Sequence, residues 1–218
     1  SSDLNKQSIE NYFYKVIFEK KDYDPLQIKN TTFRDAKEFK IVLVELNESF
    51  FNNEMMRIKR YVEYNLCSKL NVSHNKYACF IHNHKVIFIL KDTNLLEIRG
   101  IFSIVKSDKY FMDSAVSVSD SAKTVDGLGE IYDHAEAAMK INAERDKINF
   151  YDDLGIYKIL IDVKNKEILK KFYEDNLGLL EQLEPSKRED FLKTLSLYLK
   201  NGGNIMKVAD NVLAPVAE

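Results

Sequence analysis

The stretch Tyr77-Ala78-Cys79-Phe80-Ile81-His82-Asn83-His84-Lys85-Val86-Ile87-Phe88-Ile89-Leu90-Lys91 decides the fold. Its second half, Val86 to Leu90, is an unbroken apolar run, the pattern of a strand buried on both faces. Its first half, Tyr77 to His82, is mixed, with Cys79 and Ile81 facing one way and Phe80 and His82 the other. Asn83-His84 between them is a two-residue connection, the length that favours a tight hairpin, and Asn tolerates positive φ.

Working outward, Lys40 to Leu46 reads as an earlier strand, with Ile41-Val42-Leu43-Val44 a second continuous apolar run. Glu48 to Asn53 reads as a turn. Met55, Ile58, Val62, Leu66 and Leu70 then step by three or four and predict an amphipathic helix. After the hairpin come a helix over Leu95 to Val105, a mixed strand over Tyr110 to Ser119, a helix begun after Gly127 and a short extended piece, Ile148-Asn149-Phe150. The order β-α-β-β-α-β-α-β contains the split βαβ pattern. In such a sheet the first and third strands are central and the second and fourth lie outside. The two continuous apolar runs are the first and third strands, as that arrangement requires.

Upstream, Ile9, Phe13, Val16 and Ile17 share a face of a helix over Leu4 to Glu19. Asp22-Tyr23-Asp24-Pro25 breaks it, and Leu26, Ile28 and Phe33 fit a second helix. Both are expected to cover an edge or end of the sheet domain. From Asp153 onward the chain reads as helical: Leu154 to Ile161, then Ile168 to Tyr173, with a break near Gly178. The last part reads helix, break, helix. Ser186 and Glu189 fit a capping box with Pro185 just outside. Gly202 and Gly203 end the first helix, Asn204 suits the N-cap of the next, and Ile205, Val208, Ala209 and Val212 share a face.

The expected fold is therefore α+β, a ferredoxin-like or nucleotide-cyclase-like sheet with helices, followed by an all-α region. The expected divisions are an N-terminal helical segment at 1–39, the mixed domain at 40–152, a helical connector at 153–184 and a helix-turn-helix start at 185–218.

Two stretches resemble one family. Phe191-Leu192-Lys193-Thr194-Leu195-Ser196-Leu197-Tyr198-Leu199, with Asn201-Gly202-Gly203-Asn204-Ile205 and Lys207-Val208-Ala209, is similar to the C-terminal helix-turn-helix of PucR/CdaR-type transcriptional regulators. Ile131-Tyr132-Asp133-His134-Ala135-Glu136-Ala137-Ala138-Met139, followed by Phe150-Tyr151-Asp152-Asp153-Leu154-Gly155-Ile156-Tyr157-Lys158-Ile159-Leu160, is similar to the GGDEF-like middle domain of the same family. The resemblance implies a fragment of a DNA-binding regulator whose mixed domain serves signal transmission or dimerisation. It also implies a sensor domain upstream, DNA as the partner of the full-length protein, a homodimer and a small-molecule effector. Members continue with a recognition helix, whereas only Ala214-Pro215-Val216-Ala217-Glu218 follow Leu213 here, and Pro215 opposes a helix. Asn204 and Lys207 are the positions expected to approach DNA phosphate, and this chain alone is expected to bind DNA feebly.

The chemistry of the sequence points away from catalysis. A diguanylate cyclase needs a Gly-Gly-acidic-acidic turn between its second and third strands, where carboxylates hold metal. Here that turn is Ile81-His82-Asn83-His84-Lys85, without glycine or carboxylate. Glu45 and Asn47 at the end of the first strand are too few to hold a metal–nucleotide. His82 and His84, with His74 nearby, make a His-x-His pair short of ligands for zinc. Gly127-x-Gly129 lacks the strand–glycine–helix context of a phosphate loop. Asp153 reads as a helix N-cap, and His134 as a structural histidine on an apolar-faced helix. No metal or cofactor is expected, and the enzyme alternative is a nucleotide-binding or cyclase-like domain.

Bulk properties fit a globular protein: 218 residues, 45% hydrophobic and 30% charged, with a formal net charge of −2. That balance gives no basic patch for nucleic acid. No apolar run is long enough for a membrane span and no signal peptide is visible, so a cytoplasmic protein is expected. Cys67 and Cys79 both lie among apolar residues, where buried thiols are expected rather than a disulfide.

Overall fold

The computed structural model describes residues 2–20, 23–46, 55–70, 72–142, 144–163 and 165–213, with the side chains of 2–6, 55 and 210–213 left aside. The expected turn at Glu48 to Asn53, Asn47 and the tail after Leu213 lie outside the described residues. The chain divides into two compact units, residues 1–158 and 159–218.

The first unit is a five-stranded mixed sheet in the order β2-β3-β1-β4-β5. The strands are β1 (Phe39–Glu45), β2 (Tyr77–His82), β3 (Lys85–Lys91), β4 (Val116–Val118) and β5 (Ile148–Phe150). As the apolar runs require, β1 and β3 are central, paired antiparallel from Phe39↔Lys91 to Glu45↔Lys85. β4 runs antiparallel to β1, with Val42 opposite Val118. It is not the outermost strand: β5 pairs with it in parallel, Val116 opposite Ile148.

Successive residues of a strand point to opposite faces, and here both faces are buried. Ile41, Leu43, Ile87, Ile89 and Phe80 pack on one side against α1 (Ser2–Tyr14) and α4 (Leu128–Asn142). Val42, Val44, Val86, Phe88 and Leu90 pack on the other against α2 (Met55–Tyr61) and α3 (Leu95–Ser107). The sheet is thus sandwiched between two helical layers. Cys67 and Cys79 are both buried free thiols.

The N-terminal segment lies on one face of the sheet, where α1 packs on the edge strand β2 and α4 covers the centre. After α1 the chain widens into a π-helical turn, Lys15–Glu19, and Phe13, Val16 and Ile17 lie together in the core before Lys20 turns left-handed. Two expectations need correction in this unit. The segment Tyr110 to Ser119 is a strand only over Val116–Val118. Its first half is held in a turn, because the Asp108 carboxylate accepts the Tyr110 N–H at 2.9 Å and the Phe111 ring is buried. Lastly, Asp153 caps no helix. It sits within a 3-10 turn, Tyr151–Leu154, and Gly155, with φ +55, separates that turn from α5 (Tyr157–Asp162).

The polar residues of β4 and β5 are not a solvent face. The buried Ser117 hydroxyl donates to the Ala135 carbonyl at 2.8 Å. The Asn149 amide donates to the carbonyls of Val116 (3.0 Å) and Glu144 (2.8 Å). These bonds tie the sheet margin to α4 and the loop after it.

The second unit holds α6 (Lys166–Leu177), a 3-10 turn over Gly178–Gln182, α7 (Pro185–Lys200) and α8 (Ile205–Leu213). The expected capping box at Ser186 is absent: α7 starts one residue earlier, with Pro185 at its first position and Glu184 as N-cap without a side-chain bond. Proline is suited to that position, because its fixed φ matches the helix and its missing N–H had no partner there.

Candidate functional site

Two places answer to the sequence: the β2–β3 hairpin, where a cyclase would hold its metal, and the α7–α8 helix pair.

At the hairpin, Asn83 (φ +43) and His84 (φ +63) both take the left-handed conformation, so a two-residue turn closes as expected. Because His84 lies in the turn, the His-x-His pair does not share one face of a strand. His82, the last residue of β2, places its ring 4.0 Å from that of Phe18 and 5.4 Å from that of Tyr14. Burial pushes its imidazole pKa down, and Lys85 adds to the effect. His74 is engaged elsewhere, with Nδ1 at 3.0 Å from the Tyr77 hydroxyl.

Lys85 is drawn inward. Its ammonium lies 2.7 Å from the Glu136 carboxylate of α4, both side chains being largely buried. Tyr132 donates to the same carboxylate at 3.0 Å, and Lys140 lies at 3.3 Å. Burial alone raises the Glu136 pKa, but Lys85, Tyr132 and Lys140 outweigh it and hold the carboxyl below its ordinary value. Glu45 faces Arg145 at 3.0 Å. Among the described residues no group of three or more His, Cys, Asp or Glu side chains converges to hold a metal ion. The His134 ring stacks on Tyr151 at 4.0 Å, with Nδ1 2.9 Å from the Asp120 carboxylate.

In the helix pair, Gly202 (φ +59) and Gly203 (φ +80) make the left-handed break. The Gly203 N–H donates to the Tyr198 carbonyl at 2.9 Å. A Cβ on Gly203 would stand 3.2 Å from the Tyr198 hydroxyl, a tight contact added to the strain of the left-handed φ. Asn204 is the N-cap of α8, its Oδ1 accepting the Lys207 N–H at 3.1 Å. The two residues singled out for DNA are thus joined to each other, both on the exposed start of α8.

Both α7 and α8 expose large apolar side chains. Phe191, Leu199, Ile205 and Met206 are all at least half exposed, Met206 at 78%. Among the described residues of 159–218, Val208 alone is buried.

Sequence reading passed over the opposite end of the sheet, the β3–α3 turn. Asn94 and Glu97 form a complete capping box there: the Glu97 N–H reaches the Asn94 side chain and the Asn94 N–H reaches the Glu97 carboxylate. The Asn-x-x-Glu spacing is its signal in the sequence. A cleft of about 1030 Å³ opens beside it.

The first unit is defined by this class of architecture: a ferredoxin-like strand order widened by a fifth strand and layered by helices on both faces. Neither a protein-family model nor a curated protein matches the chain. Among solved structures it is similar to the crystal structure of a regulator of polyketide synthase expression from Bifidobacterium adolescentis, with 12% identity and a TM-score of 0.46 over 97% of this chain and 78% of that one. A likeness of that degree carries no functional argument. No helix among the described residues is long and apolar enough to cross a membrane.

Proposed function

We propose that this chain is part of a cytoplasmic transcriptional regulator of PucR/CdaR type. In this reading the sheet domain is non-catalytic and transmits a signal or dimerises, and α7 and α8 are the first two helices of a DNA-binding helix-turn-helix. The supporting observation is the glycine-jointed helix pair, capped by Asn204 and exposing Ile205 and Met206. A non-catalytic sheet domain is supported by a hairpin whose lysine is already neutralised by Glu136 and whose histidine is packed among aromatic rings. Homodimerisation is supported by the apolar faces of the helical unit, since contiguous exposed apolar surface marks an interaction site.

The test is a mobility shift with the protein expressed from its whole reading frame, against DNA flanking its own gene. Specific retention of one fragment is expected. Lys207→Glu should weaken binding to all sequences alike and flatten its salt dependence, as loss of a phosphate contact does. Failure to retain any fragment, or a frame that continues past Leu213 without a basic helix, would remove the reading.

A further inference from the structure

The cleft beside the β3–α3 turn is built from several elements. The start of β1 and the segment entering it supply Lys37, Glu38 and Lys40; the turn supplies Asp92, Thr93 and Asn94; α3 supplies Leu95, Ile98 and Arg99; and the ends of β4 and β5 supply Val118 and Phe150. Asp92 holds the corner together. Its backbone is left-handed (φ +48), and its Oδ1 accepts the N–H groups of Lys37 (2.9 Å) and Glu38 (3.1 Å). That carboxylate is therefore spent on the backbone. Glu38 is likewise spent on Lys40 (3.0 Å) and Lys123 (3.7 Å). The ammonium of Lys37 and the guanidinium of Arg99 enter no hydrogen bond or ion pair among the described residues.

Two further features converge there. The first turn of α3 leaves the Leu95 and Leu96 N–H groups open, at the positive end of a thirteen-residue helix. Thr93, only 5% exposed, lines the cleft immediately before the cap, and its Oγ1 is buried with no hydrogen-bond partner. Buried hydroxyls are almost always paired, and one left without a partner calls for an explanation.

We propose that this cleft binds a phosphorylated small molecule of nucleotide size, with its phosphate held by Arg99, Lys37 and the start of α3. Arg99 offers the planar fork that suits a phosphate. Leu95, Ile98 and Phe150 give the body of the ligand an apolar floor, and a ligand oxygen at the turn gives the Thr93 hydroxyl its partner. Asp153, on the far wall, accepts from a ligand hydroxyl or amine. The volume lies at the upper end of the range typical of small-molecule sites. This cleft lies at the opposite end of the sheet from the β2–β3 hairpin and does not depend on the chain being a regulator.

The experiment is a titration of the ¹⁵N-labelled full chain with AMP, GMP, adenosine and inorganic phosphate, followed by amide resonances. A nucleoside monophosphate should move the Leu95, Leu96 and Arg99 amides and saturate, with adenosine and phosphate each binding about tenfold more weakly or worse, since each has only part of the contacts. Arg99→Ala, an exposed change, should weaken binding about tenfold or more, the loss expected for charge-assisted bonds. Thr93→Val should leave the fold at least as stable, because it removes an unpaired buried hydroxyl, while weakening the ligand. No saturable shift with either monophosphate, shifts confined to other parts of the molecule, equal binding of phosphate alone, or binding untouched in Arg99→Ala would each overturn the proposal.

Discussion

The sheet unit and the helical unit use the same vocabulary of residues to opposite ends. In the first, Ile41, Phe88 and Phe13 are removed from solvent altogether, with helices on both faces of the sheet. In the second, helices of equally clear periodicity leave Phe172 at 68% exposure and Ile205 at 71%. Amphipathic pattern thus specifies which face of a helix seeks cover, not what covers it. In the sheet unit that cover comes from the same chain. In the helical unit the described side chains leave the faces open, as a surface made for a partner would.

Substitutions in the two units test this contrast. The largest effect belongs to Phe88→Ala, which empties a fully buried site on the central strand. It should cost about 3–5 kcal/mol, read by urea unfolding of the chain. A loss under about 1 kcal/mol would mean the core is not the closed layer described. Next comes Lys85→Ala, which takes the shortest of three partners from the largely buried Glu136 carboxylate and leaves it Tyr132 and Lys140. About 2 kcal/mol is expected, the loss of a charge-assisted bond, with much less lost when Glu136→Gln is added in a double-mutant cycle.

The same pair sets a pH dependence. Glu136 has a folded pKa below its ordinary value of 4.5. Its contribution is therefore complete above that ordinary value and lost as pH falls through the lowered one. The unfolding free energy of Glu136→Gln should fall less steeply than that of the parent below about pH 4.5, and equal slopes would refute the assignment.

Smaller effects fall in the helical unit. Gly203→Ala forces a Cβ into a left-handed residue against the Tyr198 hydroxyl, and about 1 kcal/mol or more is expected. Asn204→Ala removes the cap of α8 for about 1 kcal/mol. Both are read as loss of helical circular dichroism, and no loss in either would mean the break is not held by these residues. Smallest of all, Phe172→Ala should change the stability of the monomer by less than about 0.5 kcal/mol. If it costs as much as Phe88→Ala, α6 is already covered in solution and the contrast between the units fails.

How much was legible follows from the range of each interaction. The two continuous apolar runs, Ile41–Val44 and Val86–Leu90, announced central strands, because only a strand covered on both faces has no use for alternation. Asn83-His84 announced its turn, and Gly202-Gly203-Asn204 its break and cap, since these depend on backbone preferences of neighbours in sequence. The mixed composition of Tyr110 to Ser119 misled in part: it suggested an outer strand, whereas β5 lies beyond β4 and Ser117 finds in α4 a partner that no local pattern reveals. Ser186 and Glu189 matched a capping box that Pro185 displaced by entering the helix itself.

Of the sites, the absence of glycine and carboxylate at the hairpin was plain from the sequence. The inward turn of Lys85 was not, because Glu136 lies fifty-one positions away and meets it only when α4 crosses the sheet. The cleft at the other end was less legible still, since Lys37, Asp92, Arg99 and Phe150 share no spacing at all. By itself, then, the sequence determined the strand runs, the tight turns, the helical faces and the glycine break, all consequences of steric and hydrophobic preference within a few residues. Tertiary structure alone decided which layer covers which face, which charges neutralise one another and where a cavity remains, because those depend on groups brought together from distant parts of the chain.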